Sequence, residues 1–358
     1  MPEMTPRQRI LAALRREPVD RVPYLESVID EPVALEFLGI PRPADLPVSE
    51  LGAEGSADVV AGTALGTPRY PLRQLVAALG LDGFGAYFFA RPERIDLIVD
   101  GHSMSAGGRI KTRADLNRIV LPDPDDPAIY APLRAFLAEH PDPTRARFCL
   151  TNLCSDPVIL GMGFEHFAAT LYDDPGLVDD LFALYAGWQA RVAANLSRMD
   201  FDFLWFADDI AFKTQPYVSP KTFRRVFMPH YRRVAEQIGK PWIFHSDGNL
   251  LPILDDLLSL GMHGLHPIEP AAMDIRQLKQ RCGGQVCLVG GIDLDLLCRG
   301  TPTQVEECTR QVIAAAAPGG GYIAGSSNSI PYYCRAENVA AMRRAVARYG
   351  QYPRLTQS

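Results

Sequence analysis

From residue 145 onward the chain repeats one pattern, a short apolar run followed by a longer stretch with helical spacing. The apolar runs fall at 147–152, 201–207, 242–245, 264–267, 286–290 and 322–325. Helical patterns lie between and after them, at about 175–199, 219–238, 250–260, 274–281, 302–316 and 335–349. Strands that alternate with helices imply a parallel sheet with right-handed crossovers. Two earlier runs, 20–27 and 81–89, raise the strand count to eight. The pattern therefore predicts an α/β protein, a single (β/α)8 TIM-type barrel over residues 1–358. An open doubly wound sheet is the alternative, but no glycine-rich dinucleotide fingerprint follows the first run.

Two additions to the barrel are expected. Residues 5–17 read as an N-terminal amphipathic helix, with Thr5 as its cap and Pro6 at the first helical position. Segments 95–99 and 103–110, joined through Asp100-Gly101-His102, read as an inserted β-hairpin. The Pro- and Gly-rich stretch from about 40 to 73 reads as excursions over a barrel mouth, and 121–127 as a loop.

Bulk composition narrows the function. A net charge of -6 with dispersed basic residues gives no reason to expect nucleic-acid binding. The first residues lack the apolar core of a signal peptide, and no apolar run is long enough to span a bilayer. Seven cysteines without a CxxC pair argue against a disulfide framework. The expectation is a cytoplasmic protein with reduced thiols and no membrane partner.

The most informative motif is His245-Ser246-Asp247-Gly248, where the run at 242–245 ends and a helical pattern begins. In a barrel that end of a strand faces the mouth where chemistry is done. Residues two apart in a strand point to the same side. His245 and Asp247 would then bind a metal or handle a proton, unless Asp247 simply caps the following helix. Other polar groups follow other strands: Tyr24 and Glu26 in the first run, then Asp208-Asp209, His266 and Glu269, Asp293, and Ser327-Asn328. Adjacent carboxylates diverge, so one of Asp208 and Asp209 is expected in the site and the other in the scaffold. His266 also reads as a half-buried structural histidine. Glu26, held away from water beside another carboxylate, would have a raised pKa and serve as a general acid. Polar groups after so many separate strands point to an enzyme acting on a small molecule.

Taken together, these stretches resemble the uroporphyrinogen decarboxylase superfamily. The resemblance runs through Arg7 to Leu14, Pro18 to Pro23, Ala207 to Ala211, Ser219 to Phe223, His245 to Gly248, Gly290 to Asp293 and Pro331 to Asn338. The superfamily contains decarboxylases of haem synthesis and corrinoid-linked methyltransferases. The decarboxylases carry an arginine-rich segment after the first strand, where arginine forks hold the substrate carboxylates. Here that stretch is Tyr24-Leu25-Glu26-Ser27-Val28-Ile29-Asp30-Glu31, acidic and without arginine, which counts against a porphyrinogen. The methyltransferases instead bind Zn²⁺ through His-x-Cys and a later Cys. In this chain His245 keeps its place, Asp247 replaces the first cysteine, and Ser327 or Asn328 stands where the second would be.

The resemblance implies a methyltransferase acting on a small methylated compound or thiol, with a corrinoid carried by a partner protein. His245 and Asp247 would be metal ligands, with Glu26, Asp208 or Asp209 supplying proton or ligand chemistry. Tyr24, His266, Glu269, Asp293, Ser327 and Asn328 would contact substrate. The alternatives are a decarboxylase of uroporphyrinogen or another carboxylic acid, and a non-catalytic corrinoid or tetrapyrrole binder. The resemblance leaves a homodimer open.

Overall fold

The structure is a computed structural model that describes residues 3–41, 59–63, 71–99 and 102–352. Ten strands are described: β1 (Val59–Thr63), β2 (Gly83–Ala90), β3 (Arg94–Val99), β4 (His102–Gly108), β5 (Ala146–Thr151), β6 (Phe203–Ala207), β7 (Trp242–His245), β8 (Gly264–His266), β9 (Cys287–Val289) and β10 (Tyr322–Ile323). The main sheet runs β1-β2-β5-β6-β7-β8-β9-β10, and from β2 to β10 every neighbouring pair is parallel. Seven parallel strands, each shifted one place along the chain, are the (β/α)8 pattern lacking one member.

The missing position is filled by the segment around Tyr24. It is no regular strand, contrary to the reading of 20–27; it makes a single parallel bridge, Tyr24 with Ala324. Leu25 N–H donates to Ala324 O at 3.0 Å, and Ala324 N–H donates to Pro23 O at 2.8 Å. On its other side Asp82 N–H, just before β2, donates to Tyr24 O at 2.8 Å. Backbone bonds thus run from β10 through this segment to the start of β2. Two prolines, Pro18 and Pro23, explain the brevity of the pairing, since proline offers no N–H to a ladder.

Alternation then sorts the side chains into two cores. Phe148, Leu150, Phe203, Trp205, Ile243, Cys287, Val289 and Ile323 fill the interior, with Leu25 and Val28 from the closing segment. Their neighbours Cys149, Leu204, Phe206, Phe244, Leu288 and Tyr322 face the surrounding helices. The helix Pro6–Leu14 adds Ile10, Ala13 and Leu14 to the interior core. Thr5 caps it in a reciprocal capping box with Gln8. Arg7 N–H donates to Thr144 O, just ahead of β5, so this helix lies at the end where the strands begin.

Several expectations meet their elements directly. The helices Pro175–Arg198, Ile275–Cys282, Pro302–Ala316 and Ala336–Tyr349 occupy the expected stretches. The stretch at 219–238 is two helices, Pro220–Val226 and Met228–Ala235, divided where Pro229 opens the second. Strands β3 and β4 form the inserted antiparallel hairpin. Most of 40–73 lies outside the described residues. Its described residues include β1, an antiparallel strand on the outer edge of β2, and the start of the helix Leu72–Leu79. Among the described residues no helix is long and apolar enough to cross a membrane.

Candidate active site

Strands β6 and β7 end side by side, with Ala207 opposite His245 in register. The two aspartates after β6 diverge. Asp208 turns away from the mouth and is fully buried, accepting from the amides of Leu153 (2.8 Å), Cys154 (3.0 Å) and Asp156 (2.8 Å). It holds the start of the helix Ser155–Met162, so its role is in the scaffold. Burial pushes its carboxyl up to about 6 against those donors, which favour the ionised form.

Asp209 turns toward the mouth. Its Oδ1 accepts from Asp247 N–H at 2.9 Å and lies 3.7 Å from His245 Nε2. Asp247 Oδ1 is 3.6 Å from the same nitrogen. The donor atoms of Asp209, His245 and Asp247 all lie within 4.8 Å of one another. Asp247 Oδ2 accepts from Asn328 Nδ2 at 2.6 Å, whereas Oδ1 is buried without a hydrogen-bond partner. Asp247 does not cap the following helix. Burial pushes its carboxyl up to about 6; His245 opposes the shift, and Asp209 and Glu269 add to it.

The turn that aims Asp247 depends on Gly248, which has φ +88°. A Cβ there would meet Phe212 O at 2.5 Å and Ala211 O at 2.6 Å, so only glycine lets the turn pack beneath 211–212. Glu269 secures the same turn by accepting from Gly248 N–H at 2.6 Å. Behind His245, its Nδ1 lies 2.7 Å from His266 Nδ1. His266 is buried edge-on to Trp205, and burial and the neighbouring His245 keep its ring well below the usual imidazole range, hence neutral. When His245 donates Nδ1–H to His266, its Nε2 lone pair faces the two carboxylates, as metal ligation requires.

The remaining expected site residues go elsewhere. Glu26 is buried in the barrel wall, where Ser326 Oγ–H donates to it at 2.5 Å and Ser326 N–H at 3.1 Å. Burial pushes Glu26 up to about 8 despite those donors. Tyr24 is buried nearby, and its phenol is pushed up by burial and by Glu26. Asp293 caps the helix Leu294–Arg299 through Asp295 N–H, and Ser327 Oγ accepts from Leu294 N–H. Glu26, Tyr24, Asp293 and Ser327 do not line the mouth cavity; Asn328 does.

That cavity, about 570 Å³, also contains residues the sequence reading missed. Asp156 lies beside the triad, its Oδ1 accepting from Asp209 N–H at 2.9 Å. Burial, then Asp208 and Asp209, drive its carboxyl well upward. Its signal was its place just after the run at 147–152. Arg91, Arg94 and Arg109, from the base of the hairpin, line another wall. The expectation of a mouth without arginine is therefore corrected: the arginines come from the hairpin instead of the segment after the first strand.

Fold and site define a parallel α/β protein of the barrel type, with acid, imidazole and arginine groups gathered where the strands end. The uroporphyrinogen decarboxylase (URO-D) family profile matches residues 158–349, just over half of the 358-residue chain. The chain belongs to that family. A methylated-thiol–coenzyme M methyltransferase of Methanosarcina mazei is 28% identical over 194 residues, 51% of this chain and 48% of the relative. The aligned part thus spans about half of that relative's length. A uroporphyrinogen decarboxylase of Anaeromyxobacter dehalogenans is 25% identical over 96% of this chain and 99% of its own. A solved methyltransferase structure from Methanosarcina mazei superposes with a TM-score of 0.71, covering 97% of this chain and 99% of its own at 17% identity. At that identity the structural likeness speaks for the fold.

Proposed function

We propose that this protein is a methyltransferase of the uroporphyrinogen decarboxylase superfamily. Its substrate would be a small methylated compound or thiol, with a corrinoid protein as methyl-carrying partner. The observation that carries the reading is the convergence of Asp209, His245 and Asp247, with one buried Asp247 oxygen left without a hydrogen-bond partner. A buried carboxylate oxygen without a donor is costly, and a cation at the triad would remove that cost. The methylated-thiol methyltransferase among the relatives supports the same reading.

The donor set fits a divalent metal: one imidazole nitrogen and two carboxylates, leaving an open position for substrate. Zn²⁺ held there would stabilise the thiolate of a bound thiol. The chain's own residues do the rest. Asn328 orients Asp247, His266 fixes the His245 ring, and Asp156 with its raised pKa can retain a proton beside the site. Elemental mass spectrometry of the purified protein should find near-stoichiometric zinc that is lost in His245→Ala and Asp247→Ala. Wild-type protein supplied with zinc should move methyl groups between methylcob(III)alamin and at least one member of a panel of thiols and O- or N-methyl compounds. No turnover across that panel sinks the proposal.

Decarboxylation is the second reading, favoured by the near-full-length decarboxylase relative and the arginines in the mouth. Release of carbon dioxide from uroporphyrinogen would establish it.

A further inference from the structure

A second cavity, about 720 Å³, opens beside the triad, and Asp156, Leu160 and Asp209 line both. Three aromatic rings wall it: Phe164, Phe212 and Tyr217. Phe212 and Tyr217 belong to a tight turn that directly follows Asp208-Asp209. Phe212 N–H donates to Gln215 O and Tyr217 N–H to Ile210 O, both at 2.8 Å. Asn249 N–H donates to Phe212 O at 2.8 Å, which ties this turn to the one carrying Asp247. Phe164 opens the helix Phe164–Asp173. The ring centroids lie 4.6, 5.0 and 5.4 Å apart in pairs, with the planes steeply inclined. Phe164 is 39% and Phe212 46% exposed, whereas every other phenylalanine is buried or half-buried. Ring surface left open together inside a polar mouth points to a ligand.

The charge around the rings says which kind. Asp209 and Glu165 line this cavity; Asp209 also belongs to the triad, Glu165 to this cavity alone. Burial, then Asp209, Asp156 and Asp247, push the Tyr217 phenol above the usual tyrosine range, so the rings stand in a negative field. The cations nearby are engaged elsewhere. Lys111 donates Nζ–H to Met162 O at 2.8 Å, and His166 Nε2 lies 3.1 Å from Lys111 O. Arg299 and, from the aromatic turn itself, Lys213 lower the Asp295 carboxyl. Among the described residues the one arginine or lysine over a ring is Arg348, on Tyr349. Aromatic faces attract cations, most strongly where water is excluded. Ring faces satisfy no strong N–H donor, so they suit a cation sheathed in methyl groups better than a primary ammonium.

We infer that Phe164, Phe212 and Tyr217 form a subsite for a methylated onium cation, a quaternary ammonium or tertiary sulfonium, and that this cation is the methyl donor. The inference rests on the proposed methyl-transfer reading and names its substrate class. The accepting thiolate or reduced corrinoid bonds to one methyl carbon as the C–N or C–S bond breaks. The electron pair stays on nitrogen or sulfur, so a neutral amine or thioether leaves and no proton is needed. The product has lost the charge that held it to the rings.

The test is calorimetric titration of the full-length protein, with and without added zinc, using choline and its neutral isostere 3,3-dimethylbutan-1-ol. Choline should bind more tightly than the alcohol in both conditions, and its affinity should fall as salt rises. Phe212→Leu keeps apolar bulk and loses the ring. It should weaken choline about two- to thirtyfold and leave the alcohol's affinity in place. Phe164→Leu should act in the same direction, and Glu165→Gln should flatten the salt dependence. Circular dichroism confirms that each variant is folded. Equal affinity for the two probes, no binding of either, or a choline preference that survives in the double Phe→Leu variant would overturn the subsite. Choline binding that depends on the rings, with no methyl transferred from any quaternary ammonium or tertiary sulfonium, would keep the cation subsite and refute the methyl-transfer reading.

Discussion

Two clusters of charge sit at opposite ends of this barrel, and they are built differently. Where the strands begin, Asp82 is buried and receives Arg9 Nη1 at 2.5 Å, Arg21 Nη2 at 2.8 Å and Tyr24 N–H at 2.8 Å. Asp20 takes two more bonds from Arg9. Burial would raise the Asp20 carboxyl, yet Arg9 and the Met4 amide hold it down at about 2. Both of these acids have a cation. Where the strands end, Asp209 and Asp247 have no arginine or lysine partner among the described residues, and one buried oxygen has no hydrogen bond there. The lesson is that buried acids with saturated partners serve the scaffold, whereas acids converging without a counter-charge mark the place for a ligand.

The largest effect that would sharpen this contrast is expected from Arg9→Ala. It leaves Asp20 without its cation and Asp82 with Arg21 alone, and should cost about 3–5 kcal/mol in urea unfolding, while metal binding at the mouth persists in the folded fraction. A loss below about 1 kcal/mol would break the contrast. Next is Glu26, whose carboxyl stays protonated up to about 8 in the fold, against 4.5 ordinarily. The folded state then holds the extra proton, so stability falls as pH rises through that window. Glu26→Gln should remove this slope, gaining up to a few kcal/mol over the wild type by pH 8 at about 1.4 kcal/mol per pH unit. Parallel stability–pH curves for the two proteins would show that Glu26 is ionised where it lies. Smallest is Asn328→Ala, which frees Asp247 Oδ2. Zinc affinity should fall roughly tenfold with little change in unfolding, and a change in unfolding alone would return Asn328 to the scaffold.

Much of the site was legible because a barrel gathers the residues after each of its strands at one mouth. That rule selected Asp209, His245, Asp247 and Asn328. The same rule selected Asp208, Asp293, Ser327 and Glu269, which turned out to hold helix starts and turns. A carboxylate after a strand is also where a helix cap belongs, so the sequence pattern cannot separate the two uses. Asp156 obeyed the rule and was passed over. Arg91 and Arg109 had no such signal, because a hairpin's residue pattern does not say over which side of the sheet it folds.

By itself the sequence determined the order of strands and helices, the parallel sheet and the position of the His245–Asp247 motif at a strand end. Each arises from periodicities that act over a few residues. Tertiary structure decided which of Asp208 and Asp209 faces the mouth, how the Tyr24 segment completes the ring, and that Glu26 meets Ser326, 300 residues away. It also decided that the hairpin brings arginines to an otherwise acidic cavity. Contacts between such distant segments depend on the packing of the whole barrel, which no local pattern encodes.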